Sequence, residues 1–285
     1  MCDDEIHVGQ VKDPTVSRRG FGLLTVAAAG AATGAYAADV VERDVEVKTP
    51  DGVSDSALIY PSGKGTWPAV VLWPDIFGLR PVMREMGRRL AAQGYVVLVP
   101  NPFYRSKKAP VVPAEFDFSK PENRAVLMGF RGAMTNDGID RDAIAYVAFL
   151  DAQPQTNRKK KVGVQGYCMG GPLSFRTAAA VPNRIGAVGS FHGGGLTTKN
   201  PDSPHLLVAR TKAAYLVCVA QNDDKAQPDS KDILKATFAE TKRPATVEVY
   251  PANHGWCVKG SAVYDEASAE KAWAELTKLY KANLV

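Results

Sequence analysis

Cysteine and histidine are scarce in this 285-residue chain, four of each, and their spacing excludes several common uses of both. There is no H-E-x-x-H helix and no close cysteine–histidine grouping, so neither a metal centre nor any other cofactor is expected. The absence of C-x-x-C argues against a thiol redox protein. Basic runs are missing as well. A formal net charge of +5 is spread along the chain with no basic patch interleaved by aromatics, which speaks against nucleic-acid binding and supports no more than a mild pull on anionic substrates. No internal repeat, low-complexity tract or inter-domain linker interrupts the sequence.

What is present begins with an address. "SRRGFGLLTVAAAGAATGAYA" joins Arg18 and Arg19 to a weakly apolar run and the small-x-small tripeptide Ala35–Tyr36–Ala37. That order is the pattern of a twin-arginine export signal cleaved near Ala37 or Ala38, implying the twin-arginine translocase as a transient partner and the periplasm as destination. The run is rich in alanine and glycine and falls short of the ~20 apolar residues that a membrane span needs, so no stable span is expected after processing. Residues 1–38 are therefore expected to leave, and residues 39–285 to form one domain of a size that buries a substantial core. Cys2 goes with the signal, and Cys168, Cys218 and Cys257 cannot all pair with one another. Cys218, inside "AAYLVCVA", reads as a core residue.

Strand-like and helix-like segments alternate from there. "ERDVEVKT" and "SALIYPS" flank Asp51–Gly52 and read as an antiparallel pair at a sheet edge. "PAVVLWP", "YVVLVPN", "KVGVQGY", "IGAVGSF", "AYLVCVA" and "TVEVYP" are the short, β-branched runs of a sheet buried on both faces. Helical patterns lie between them, over 81–93, 122–130, 139–152, 170–180, 228–240 and 262–281. The alternation predicts an α/β fold, a mostly parallel central sheet with helices on both faces. Such a sheet places its chemistry in the loops that follow its strands.

One of those loops decides the reading. In "KVGVQGYCMGGPLSF" an apolar strand meets a glycine-bounded turn and then the small residues that open a helix. This resembles G-x-S-x-G, the nucleophile elbow of α/β-hydrolases, with Cys168 where serine stands. A thiol suits the place, because a helix N-terminus and a paired imidazole favour the thiolate that attacks. Against this stands a plainer use, a small packed residue in a tight turn. An elbow also needs two N–H groups for the developing oxyanion: one from the residue after the nucleophile, Met169, and one from the loop after an earlier strand, "PDIFGL", at Ile76.

The rest of such a unit follows in order, acid and then histidine. His254 in "YPANHGW" comes after the last strand, whereas His192 and His205 come too early. The acid belongs after "YLVCVAQN", at Asp223 or Asp224. A solvated loop histidine and a turn or cap aspartate are the ordinary alternatives. "FHGGG", at 191–195, follows the nucleophile strand rather than preceding it and so reads as a loop needing glycine geometry, with His192 or His205 lining the cleft. Tyr104 and Arg105 in "NPFYRSKK" are candidates for substrate contact.

With these residues in place the chain resembles the dienelactone hydrolase (carboxymethylenebutenolidase) family from about Val40 to the C-terminus. The resemblance rests on the stretch from Pro74 to Arg105, "VGVQGYCMGG" and "ANHGW". It implies an α/β-hydrolase fold and a Cys168–His254–Asp223 triad, forming a covalent acyl-enzyme on a small lactone or ester. It leaves Asp224 as a neighbour of the acid. Two departures stand out. Asp75 replaces a family glutamate that contacts the resting thiol, and the family resemblance gives Asp75 a thiol-gating role. Val258, with Lys259 adjacent, replaces a family arginine that helps to bind a substrate carboxylate, which weakens the case for a diene-lactone substrate in particular. A general short-chain carboxylesterase and a non-catalytic periplasmic protein on a hydrolase scaffold are the competing readings.

Overall fold

Ten residues of β1 (Val40–Thr49) turn back on β2 (Gly52–Pro61) as the antiparallel edge pair that the sequence predicts. The computed structural model describes residues 39–113 and 115–284; the expected export signal, residues 1–38 with Arg18 and Arg19, lies outside the described residues. Six further strands complete the sheet: β3 (Ala69–Trp73), β4 (Val96–Pro100), β5 (Val162–Tyr167), β6 (Ile185–Phe191), β7 (Ala214–Ala220) and β8 (Ala245–Tyr250). Their order across the sheet is β1-β2-β4-β3-β5-β6-β7-β8. β2 meets β4 antiparallel, and every later neighbour is parallel.

Successive strand residues point to opposite faces, so each run feeds two cores. Val71 and Trp73 of β3 join one cluster with Leu173 and Phe175, while Val70 and Leu72 join the other with Leu90, Leu276 and Tyr280. The first face is covered by α3 (Asn136–Asp151) and α4 (Gly170–Ala180), with α2 (Pro121–Gly132) beyond and α7 (Ser230–Glu240) at the far edge. The second face is covered by α1 (Pro81–Ala91) and α8 (Glu266–Asn283). This two-sided burial is why the central strands are almost uniformly apolar.

Helix starts differ from the periodicity where a cap decides. α3 begins at Asn136, ahead of the first apolar position, because Thr135 accepts from the Gly138 N–H at 3.1 Å. α8 begins at Glu266 rather than 262, because Asp265 accepts from Ser268 N–H at 2.8 Å. Two short helices lie where the periodicity gives none: α5 (Pro204–Leu207) and α6 (Gln221–Ala226).

The strand order also fixes where the site can be. From β3 the chain crosses to β4 on one side, and from β5 it crosses to β6 on the other. The carboxyl ends of β3 and β5 therefore flank a crevice that no connection covers, the topological switch point where open α/β sheets bind ligands. Cys168 follows β5 and Asp75 follows β3.

Candidate active site

Cys168 sits between β5 and α4 with φ of 51°, in the left-handed region that costs a non-glycine residue about 1–3 kcal/mol. Its N–H points back to the Phe191 carbonyl at 3.0 Å, and its carbonyl accepts from the Gly171 N–H at 3.0 Å. The flanking glycines are a matter of space. A Cβ on Gly166 would lie 1.9 Å from the Gly170 carbonyl oxygen, and one on Gly170 would lie 2.5 Å from that of Trp73. The turn closes only because both are bare, and it leaves the thiol half-buried at the N-terminus of α4.

The two later loops converge on it. His254, beyond β8, places Nδ1 2.8 Å from Oδ2 of Asp223, in the first turn of α6. The His254 backbone N–H donates to Oδ1 of Asn222 at 2.8 Å, so the short helix holds the histidine by both main chain and ring. Asp224 faces away and pairs with Lys231 at 2.8 Å. Nε2 of His254 is buried and makes no hydrogen bond of good geometry, yet Cys168 is close enough to act on it by charge. Burial alone would favour the neutral ring. Its interactions with Cys168 and with the Asp223 carboxylate overcome that and hold the His254 pKa well above the usual histidine range. The other thiols have no such partner: burial pushes Cys218 up to about 12 and raises Cys257 well above the thiol norm.

These groups open on a cleft of about 490 Å³, its mouth included, lined by Asp75, Ile76, Phe77, Arg80, Phe118, Cys168, His192, His254 and Val258 among others. Among the described residues no acceptor takes the N–H of Ile76 or Met169, leaving both able to hold an oxyanion. Asp75 lines the cleft, but not as the thiol's partner. Its oxygens receive Nη1 and Nη2 of Arg80 at 2.6 and 2.8 Å, and Oδ1 also accepts the Phe77 N–H at 3.0 Å. Both partners of this bidentate pair are more than nine-tenths buried. Arg80 was not singled out from the sequence, although it directly follows "DIFGL".

Tyr104 and Arg105 are not in the cleft, which corrects the expectation that they touch substrate. The guanidinium of Arg105 is spent on buried Asp142, at 2.8 Å, and on Asp51, at 2.7 Å, and the Tyr104 hydroxyl donates to Asp142 at 2.7 Å. The network ties the loop after β4 to α3 and the β1–β2 turn. Lys259 likewise borders a separate cavity between α1 and α8. His205 bonds Ser203, whereas His192 is fully buried in the cleft wall. Among the described residues no group of three or more histidine, cysteine or acidic side chains is placed to hold a metal ion, and no helix is long and apolar enough to cross a membrane.

Sheet order, elbow and cleft together define an α/β-hydrolase fold. The model of the dienelactone hydrolase family matches residues 55–284, and the chain belongs to that family. It is 27% identical over 238 residues to carboxymethylenebutenolidase 1 of Cupriavidus pinatubonensis, covering 82% of this chain and 94% of that one. It is 29% identical over 190 residues to a carboxymethylenebutenolidase of Rhodococcus opacus, covering 66% and 69%. Among solved structures, a dienelactone hydrolase-like promiscuous phosphotriesterase from metagenomic libraries superposes with a TM-score of 0.70 at 23% identity, over 86% of this chain and 99% of that one. A dienelactone hydrolase from Anabaena variabilis gives 0.61 at 15% identity, over 86% and 99%. The chain is a hydrolase of this family.

Proposed function

We propose that this protein hydrolyses small lactones or carboxylic esters through Cys168, His254 and Asp223, in the periplasm after twin-arginine export. The observation that carries the reading is the meeting of a strained, half-buried thiol with an imidazole bonded to Asp223. Neither feature is needed for a packed turn.

In this scheme the Cys168 thiolate attacks the acyl carbon. A C–S bond forms, and the carbonyl π pair moves to oxygen, where the N–H groups of Ile76 and Met169 receive it. Collapse breaks the C–O bond, and the His254 imidazolium gives its proton to the leaving oxygen. In a lactone that oxygen stays tethered to the acyl group. A water then gives a proton to His254 and its oxygen to the acyl carbon, and the thiolate leaves. Asp223 holds the ring in the tautomer that presents Nε2 to these transfers.

The cleft supports a compact, largely apolar acyl group. Ile76, Phe77, Phe118 and Val258 line it, and its one guanidinium is already neutralised by Asp75. Hydrolysis of a panel of lactones and p-nitrophenyl esters by the purified protein, with Cys168→Ala alongside, is the test. Turnover confined to the Cys168 form supports the reading. No turnover on any member, with Cys168 no more reactive to iodoacetamide than a free thiol, favours a non-catalytic protein on this scaffold.

A further inference from the structure

His192 has no part in the scheme above, yet it is built into it. It follows β6, as Cys168 follows β5, and the parallel register pairs Tyr167 with Phe191, so the two next residues emerge side by side. The Cys168 N–H donates to Nδ1 of His192 at 3.2 Å, as well as to the Phe191 carbonyl. His192 is itself held in the left-handed region, with φ of 40°, and its N–H is fixed to the Cys218 carbonyl at 2.8 Å. The ring stands edge-on to His254 with centroids 4.8 Å apart, and edge-on to Trp256 at 5.1 Å.

Building on the proposed Cys168 chemistry, we infer that His192 is a positioning residue, whose imidazole anchors the elbow through Nδ1 and backs the His254 ring. Only an unprotonated Nδ1 can accept the Cys168 N–H. The proton must then sit on Nε2, which is buried and has no partner. Burial first, and then the charge of neighbouring His254, keep the ring from taking a second proton. Two histidines in van der Waals reach are thereby driven apart in role, one charged and mobile in its proton, the other neutral and fixed. A simple packing residue would need none of this. A leucine or phenylalanine could fill the wall, but would leave the Cys168 N–H with one acceptor and the left-handed turn less determined.

The test uses the full chain with His192→Phe, which keeps a ring without the acceptor, and His192→Asn, whose Oδ1 can stand near the Nδ1 position. Measured are kcat and KM on a p-nitrophenyl ester, and the rate of Cys168 alkylation by iodoacetamide, with the site located by peptide mass spectrometry. Folding is checked by circular dichroism. His192→Phe is expected to lower kcat and the alkylation rate about tenfold or more with KM within about twofold, and His192→Asn to recover most of both. A folded Phe variant within twofold of wild type on both measures overturns the inference. Should the Phe variant not fold, His192→Gln takes its place: its acceptor lies one bond too far, and equal rates for Gln and Asn overturn the inference. Alkylation needs no substrate, so a wild type inactive on every ester would defeat the functional reading while this comparison still decides the role of His192.

Discussion

Arg80 grips Asp75 with both arms, at 2.6 and 2.8 Å, inside the cleft that also holds Cys168. A free carboxylate there would repel a thiolate, and the guanidinium removes that repulsion without removing the charge. Breaking a buried pair by deleting one partner costs about 3–5 kcal/mol, because it strands the other. Arg80→Met is therefore expected to lose stability of that order in urea melts and to slow Cys168 alkylation about tenfold at neutral pH. Arg80→Met/Asp75→Asn should recover most of both. An alkylation rate unchanged in the single variant would remove the link between the pair and the thiol.

Cys168→Ala and His254→Ala should each lower ester turnover by about a thousandfold or more, and the double variant by no more than either, since the two act as one unit. Cys168 and Asp223 push His254 toward its charged form, well above the ordinary histidine range, and that charge favours the thiolate beside it. In His254→Gln that charge is gone. Alkylation of Cys168 at pH 6.5 should fall at least about tenfold and recover toward pH 9, as a thiol of ordinary pKa near ~8.5 ionises. The same rate in both proteins at pH 6.5 would sink the ion-pair account.

Asp223 and its neighbour should separate cleanly. Asp223→Asn offers His254 Nδ1 an amide, permits the wrong tautomer, and is expected to cost two to four orders of magnitude or so in turnover. Asp224→Asn gives up only a half-buried bond to Lys231, at 2.8 Å, and should stay within about threefold. Steady-state kinetics of the two variants decide it. Equal effects would mean that α6 is free to present either carboxylate.

The proposed export rests on residues 1–38 alone. Replacing Arg18 and Arg19 by lysine should leave the protein in the cytoplasm, measured by fractionation and immunoblot, because the translocase reads the arginine pair. Full-length chain stably embedded in membrane would point to an anchor instead.

The fold and the order of the candidate triad were legible because both are written locally. Alternating apolar runs specify strands buried on two faces, and an elbow is a contiguous string from Gly166 to Gly171. The choice between Asp223 and Asp224 could not be read from the residues alone, since it depends on how the unexpected turn of helix at Gln221–Ala226 faces. The place of His192 at the cleft was legible from its loop, but its part in the elbow was not. Its contact with Cys168 is set by the register of β5 on β6, which no local pattern encodes. Tyr104 and Arg105 misled because they follow a strand at the right end of the sheet. β4, however, lies between β2 and β3, and its loop leans toward the β1–β2 turn, where Asp51 and Asp142 claim the guanidinium.

Substrate breadth follows from where the cleft keeps its charges. Val258 stands where the family resemblance places an arginine that helps to bind a substrate carboxylate, and it is buried in the cleft wall. Neither Arg105 nor Lys259 takes that arginine's place: Arg105 is consumed by Asp142 and Asp51, and Lys259 borders the other cavity. Arg80 does reach the cleft, but an anionic substrate could take it only by displacing Asp75 from a buried bidentate pair, leaving that carboxylate unpaired. An acidic lactone thus gains little over a neutral one, and both meet the same apolar walls of Ile76, Phe77 and Phe118. Comparable kcat/KM, within about tenfold, is expected for matched lactones with and without a carboxylate. Raising the salt concentration should change the two nearly alike, since the cation in the cleft lining, Arg80, is already paired with Asp75. A preference of a hundredfold or more for the acidic lactone, lost in Arg80→Gln, would show that substrate does displace Asp75, and the breadth reading would give way to anion recognition through Arg80.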